Sequence, residues 1–109
     1  MEKHNIKDRI KDDNNIQMIE MFKEVIANKG IDGTFNYVEI PGNIVVPENG
    51  QSIHEYDELS FIISGQLEAV VNGEKYYLKE GDYTFIRKGV PHISKNLSDA
   101  PCKLVCLLI

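Results

Sequence analysis

The sequence has no tryptophan, only two cysteines and no long apolar run. Cys102 and Cys106 lie in the apolar segment CKLVCLLI, which is typical of a β-strand. Along a strand their Cα atoms are separated by about 13 Å. That separation excludes a disulfide and a shared metal ion, so we expect two buried, reduced thiols.

Clustered positive charge and a targeting segment are also missing. Twelve basic residues are scattered among seventeen acidic ones, which gives a net charge of −5 at pH 7. This balance argues against a nucleic-acid partner or an anionic membrane as partner. The first residues, MEKHNIKDRIKDDNN, lack the apolar core of a signal peptide, and we expect a cytoplasmic protein.

The 109 residues are enough for one domain in which an N-terminal region, 1–33, precedes a β-rich region, 34–109. Helical spacing of apolar residues predicts a helix from about Asn15 to Asn28, after a polar tail. Asn72-Gly73 predicts a tight hairpin turn. The predicted strands are TFNYVEI, NIVV, ELSFIIS, QLEAVVN, EKYYLK, YTFIR, HISKN and CKLVCLLI. Seven or eight short strands without alternating helices indicate an antiparallel sandwich or barrel, whose interior can hold one small ligand.

Two stretches punctuated by glycine carry histidine. In GDYTFIRKGVPHISKN, the residues Gly81, Gly89, His92 and Asn96 fall on the second motif of the cupin superfamily, with Arg87 where that motif has proline. The stretch GQSIHEYDELSFIISG is similar to the first cupin motif.

In this first stretch, Glu58 precedes Gly65 by seven residues and His54 precedes Glu58 by four, as the cupin motif requires. Ser52 stands where the motif has its first histidine, and Val46 stands where it has its opening glycine. The resemblance extends from near Thr34 to the end of the chain and identifies a small, single-domain cupin.

The resemblance implies an all-β fold, a jelly-roll β-barrel, which is usually dimeric and binds one divalent metal. His54, Glu58 and His92 are the candidate metal ligands, for Fe, Zn, Mn or Ni. In a straight strand His54 and Glu58 lie about 13 Å apart, so the chain must turn through residues 55–57. Tyr56 and Glu58 are the candidate catalytic residues. Without a metal, the cluster would act as a metal-free acid and base.

Each of these residues also has an ordinary structural interpretation. Taken singly, His54 is interpreted as a strand histidine that is hydrogen-bonded to a neighbour. Glu58 is interpreted as a solvated carboxylate, and His92 as a structural residue that follows Pro91. Tyr56, with Tyr37 and Tyr83, is more often a packing residue than a proton donor. The family spacing favours the ligand interpretation for His54, Glu58 and His92.

Three functions remain open at this point. The first is a metal-assisted lyase, isomerase or oxygenase acting on a small polar carbonyl or carboxylate compound. The second is a non-catalytic module that binds a small ligand. The third is a cupin of the ethanolamine-utilisation type from a catabolic microcompartment, because EYDELSFIISGQL and GDYTFIRKG are similar to that family. A homodimer is expected in each case, since the C-terminal strand is apolar on both faces, although a central strand position explains this equally well.

Overall fold

The computed structural model describes residues 1–109 and consists almost entirely of antiparallel strands. A 3₁₀ turn at Ile6–Asp8 and one short helix, α1 (Lys23–Asn28), are the helical elements. The strands are β1 (Gln17–Met21), β2 (Thr34–Ile40), β3 (Val45–Val46), β4 (Glu58–Ser64), β5 (Gln66–Val71), β6 (Glu74–Lys79), β7 (Tyr83–Ile86), β8 (His92–Lys95) and β9 (Cys102–Leu108). The eight strands predicted after residue 33 are therefore confirmed.

Two sheets pack face to face. The five-stranded sheet has the order β1-β2-β9-β4-β7, and the four-stranded sheet has the order β3-β8-β5-β6. Alternate residues point inward and form the core, including Val38, Ile62 and Leu67, with Cys102 and Leu104 from the central strand β9. No ladder joins the edge strands of the two sheets, so the expected closure into a barrel is not present.

The hairpin between β5 and β6 has the predicted turn. Asn72 and Gly73 both have positive φ angles, 50° and 82°, and Val71 pairs with Glu74 on either side of them. Those angles match a type I′ turn, whose twist suits two adjacent strands.

The N-terminal region differs from its prediction. The helix expected over residues 15–28 is reduced to the six residues of α1, and Gln17–Met21 form β1 instead. β1 pairs along its whole length with β2, and this pairing buries Ile19 to 6% exposure. Phe22 and Val25, which the helical pattern counted as apolar-face residues, are exposed. Pairing with the edge of a sheet has overridden local helical spacing here.

The two cysteines are free, buried and on the inner face of β9, as expected. None of the helices has the length and apolar character needed to cross a membrane.

Candidate metal centre

His54, Glu58 and His92 come together at one end of the space between the sheets. Glu58 is the first residue of β4 and His92 the first of β8, while His54 lies in the loop before β4. One potential ligand atom from each of the three side chains lies within 4.8 Å of the other two. The imidazole rings of His54 and His92 have centroids 5.0 Å apart. The turn expected between His54 and Glu58 is present as a bend at residues 55–56.

Backbone contacts hold that bend in place. The carbonyl of His54 accepts a hydrogen bond of 2.9 Å from the amide of Gly89, and the Asp57 carboxylate accepts one of 2.9 Å from the amide of Lys88. Asp57 and Ile109 exchange two backbone hydrogen bonds, of 2.8 and 3.1 Å. The loop carrying His54 is thereby tied to the loop before β8 and to the C-terminal residue.

The orientation of His92 decides which of its nitrogens is available. Its Nδ1 lies 3.0 Å from the carbonyl oxygen of Val90, which only accepts hydrogen bonds, so Nδ1 carries the proton. In the neutral ring, Nε2 then presents a lone pair to Oε2 of Glu58, 3.2 Å away. Glu58 Oε2 is buried without a hydrogen-bond partner. Two acceptor atoms therefore face each other, an arrangement that a shared cation or proton satisfies.

Protonation at this pair follows from the same contacts. Burial raises the pKa of Glu58, but the nearby His92, Cys106 and His54 outweigh it, and the pKa lies below its usual value. The facing carboxylate, together with the Val90 carbonyl, raises the pKa of His92 against the opposing effect of burial.

Ser52 lies beside His92, at the position where the cupin motif has its first histidine. The backbones of the two residues form an isolated antiparallel bridge with hydrogen bonds of 2.8 and 3.0 Å. Residues directly opposite in such a bridge point to the same side, and both side chains line the interior cavity. Ser52 therefore places a hydroxyl beside His92 in the cavity, where the cupin motif has an imidazole.

The three side chains open onto a cavity of about 130 Å³ between the sheets. Its walls are mostly aliphatic, with Ile62, Leu67 and Leu104 among them. The polar lining residues are Ser52, His54, Glu58, Ser60, Thr84, His92 and Ser94. A cavity with apolar walls and a few converging polar groups is typical of a small-ligand site.

Tyr56 does not line this cavity. Its hydroxyl donates a hydrogen bond of 2.9 Å to Asp32, and that contact raises the pKa of Tyr56. Tyr37 is buried and its pKa is raised to about 12 by burial and by Glu39, whereas Tyr83 is exposed. None of the three tyrosines reaches His54, Glu58 or His92 through the cavity.

Cys106 is the functional neighbour that sequence reasoning missed. Its thiol lies 3.4 Å from Glu58 Oε1, and burial together with the Glu58 charge raises its pKa to about 12. The protonated thiol donates to one carboxylate oxygen and leaves Oε2 facing His92. The alternation of residues along CKLVCLLI predicts that this thiol points inward. No local sequence pattern indicates its contact with Glu58, which lies 48 residues away in the sequence.

Residues 37–108 match the family of the cupin domain. This chain belongs to the cupin domain family. The match contains both motif stretches and all three clustered side chains, so membership rests on the part of the chain that forms the cavity.

Proteins of several different kinds resemble the chain. It is 29% identical over 52 residues to the HTH-type transcriptional regulator PuuR of Escherichia coli, covering 48% of this chain but only 28% of the regulator. A predicted oxalate decarboxylase from Thermotoga maritima has a TM-score of 0.72 at 25% identity, over 86% of this chain and 79% of that one. The EutQ protein of Clostridium difficile has a TM-score of 0.68 at 16% identity, over 85% of this chain and 61% of EutQ. At that identity the likeness is one of fold alone.

Proposed function

We propose that this protein is a small metal-binding cupin in which His54, Glu58 and His92 hold one divalent transition metal. The observation that carries the proposal is the convergence of the three side chains, one ligand atom of each lying within 4.8 Å of the other two, with Oε2 of Glu58 facing Nε2 of His92 at 3.2 Å. Two imidazoles with one carboxylate form a donor set that suits Fe, Zn, Mn or Ni. The residues present therefore fit the ion that the family implies.

Each side chain has a distinct part in such a site. The Val90 carbonyl fixes the tautomer of His92, so Nε2 is free to bind, and His54 supplies the second nitrogen. Glu58 supplies an anionic oxygen whose direction is set by the Cys106 thiol. A divalent ion held by these three side chains would supply Lewis-acid polarisation of a carbonyl or carboxylate oxygen of the ligand, and Ser52 lines the same cavity.

We further propose that the protein is a lyase, isomerase or oxygenase acting on a small polar carbonyl or carboxylate compound. The likeness to the Thermotoga maritima protein described as an oxalate decarboxylase supports this class. Glu58 is the proposed catalytic group at the cluster. A catalytic role for Tyr56 stays a prediction, and it requires its hydroxyl to leave Asp32.

A non-catalytic ligand-binding module is the alternative. The partial match to the PuuR regulator and the mostly aliphatic cavity wall favour it. A role like that of the ethanolamine-utilisation cupins rests on the similarity of EYDELSFIISGQL and GDYTFIRKG to that family. The EutQ structures add a likeness of fold alone. A small-molecule ligand is common to all three hypotheses, while a homodimer, a cytoplasmic location and the lack of nucleic-acid and membrane partners stay predictions.

Elemental mass spectrometry of the untagged protein tests the metal site. The chain has three histidines, so His4→Ala is a matched control for H92A, because His4 is exposed and remote from the cluster. We expect about one equivalent of metal in the wild type and in H4A, and almost none in H92A. Metal-free protein after growth and dialysis with Fe, Zn, Mn and Ni would overturn the metal site and leave the binding module.

A further inference from the structure

A second, apolar groove lies between β6 and β7, the facing edges of the two sheets. It has a volume of about 290 Å³ and exists because these edge strands diverge without forming a ladder. The residues that line it are Ala69, Val71, Tyr76, Leu78, Thr84, Phe85 and Ile86. No charged side chain lines it, and the hydroxyl of Tyr76 is already bonded to Glu74.

The groove adjoins the cavity that holds His54, Glu58 and His92. Ala69, Leu78, Thr84 and Ile86 line both spaces. The inner end of the groove lies beside the proposed metal ligands, because Ile86 is the cross-strand partner of Glu58 and Val71 is the partner of His92. Directly opposed residues in antiparallel strands project to the same side of a sheet. A molecule bound at the cluster therefore has an apolar groove next to it, with four apolar or hydroxyl side chains common to both spaces.

We infer that the ligand is amphipathic, with an oxygen-bearing head at His54, Glu58 and His92 and a short apolar tail in the groove between β6 and β7. The head group of this ligand rests on the proposed function, and the inference adds that the other end of the ligand is apolar. Apolar walls favour a tail that leaves water, and they disfavour a charged or strongly hydrated group. A compact, wholly polar molecule such as a small dicarboxylate leaves the groove unused.

Binding of 2-oxo acids by calorimetry tests this inference. The series runs from pyruvate to 2-oxooctanoate, and the protein carries one equivalent of the divalent ion that it binds. All members share the metal-binding head and differ only in tail length. Each methylene that enters the groove is expected to tighten binding about fourfold. Affinity that stays flat along the series would overturn the inference.

Two valines of β5 give a matched pair of variants. Val71 lines the groove, whereas Val70 is its neighbour on the opposite face of the sheet. Threonine has nearly the same shape as valine, so V71T is expected to lower the affinity for 2-oxooctanoate about fourfold. Its affinity for pyruvate is expected to stay within twofold of the wild-type value. V70T is expected to change neither affinity, and equal losses in V70T and V71T would contradict the assignment.

The same measurements separate the two proposals. If the protein holds metal and binds pyruvate but its affinity does not rise with tail length, the proposed function stands and this inference is wrong. Protein that holds no metal under any supply overturns the proposed function, and the amphipathic ligand falls with it.

Discussion

Nε2 of His92 and Oε2 of Glu58 lie 3.2 Å apart, and the only proton of a neutral His92 ring is on the opposite nitrogen, at the Val90 carbonyl. Oε2 is buried and has no hydrogen-bond partner. Leaving a buried acceptor unpaired costs about 1–3 kcal/mol. The fold maintains this arrangement through β4 and β8, and either a proton on Nε2 of His92 or a shared cation satisfies both atoms.

Glu58→Gln removes the anionic ligand and keeps the shape of the side chain. Its amide oxygen still accepts from the Cys106 thiol, so the metal-free variant is expected to unfold near the wild-type temperature. Free metal at 100 times the Kd stabilises the wild type by about 2.7 kcal/mol, which raises Tm by several degrees. We expect no such rise for E58Q in a calorimetric scan.

Glu68→Gln is the control for E58Q. Glu68 is a buried glutamate outside the cluster, and Lys95 lies 3.9 Å from its carboxylate. E68Q is expected to retain the full metal-dependent rise in Tm. A rise of equal size in E58Q would show that Glu58 is not a ligand.

Ser52→His restores the histidine of the cupin motif beside His92. Because the two residues are bridge partners with side chains on the same face, the new ring is directed into the cluster. A fourth strong ligand is expected to tighten metal binding by about tenfold or more. Competition with a chromophoric chelator measures the change, and unchanged affinity would mean that the fourth position does not face the ion.

Asn96, which matches the last position of the second cupin motif, is predicted to be structural. It is fully buried, its amide donates to the carbonyls of Ile40, Pro41 and Ala100, and its oxygen accepts from Ser98. N96A is expected to lower the free energy of unfolding by about 3 kcal/mol with metal stoichiometry unchanged. The exposed control N15A is expected to change it by less than about 0.5 kcal/mol. Loss of metal from folded N96A would contradict a purely structural role.

Stability at alkaline pH reports on Cys102. Burial raises its pKa from 9.0 to about 11, so between those values the folded protein holds a proton that the unfolded chain releases. The free energy of unfolding therefore falls as pH rises above 9, by up to about 1.4 kcal/mol per pH unit for one thiol. Urea titrations of metal-free protein at pH 9 and 10 are expected to give a shallower fall for C102A. Equal slopes would mean that Cys102 does not contribute.

The outer face of the five-stranded sheet is the predicted homodimer interface. Leu59, Phe61 and Phe85 are exposed there, next to Val105 and Leu107 of β9, and a cluster of exposed large apolar side chains is typical of an interaction surface. Light scattering is expected to give twice the chain mass of 12.4 kDa. F61E is expected to be a monomer. Tyr77→Glu changes an exposed aromatic residue of the other sheet, and this control variant is expected to remain a dimer. A wild-type monomer would refute the interface.

Strands after residue 33 were predictable because their signals are local. β-branched or aromatic residues mark each strand, and Asn72-Gly73 marks the turn between β5 and β6. The clustering of His54, Glu58 and His92 was predictable from the motif spacing. A straight strand would hold His54 and Glu58 too far apart to share an ion, so the motif implied a bend between them.

Features that depend on distant parts of the chain were not predictable. β1 forms because β2 offers an edge that buries Ile19, and helical spacing carries no information about that edge. The open edge between β6 and β7 depends on how two complete sheets pack. The contact between Cys106 and Glu58 and the distance of Tyr56 from the cavity likewise appear only after folding.

Anomalous diffraction from crystals grown with the bound ion tests the central claim most directly. We predict one strong peak within about 2.0–2.2 Å of a nitrogen of His54, a nitrogen of His92 and an oxygen of Glu58. A peak only at the exposed pair His4 and Glu2, or no peak in protein soaked with each of the four metals, would contradict the metal centre.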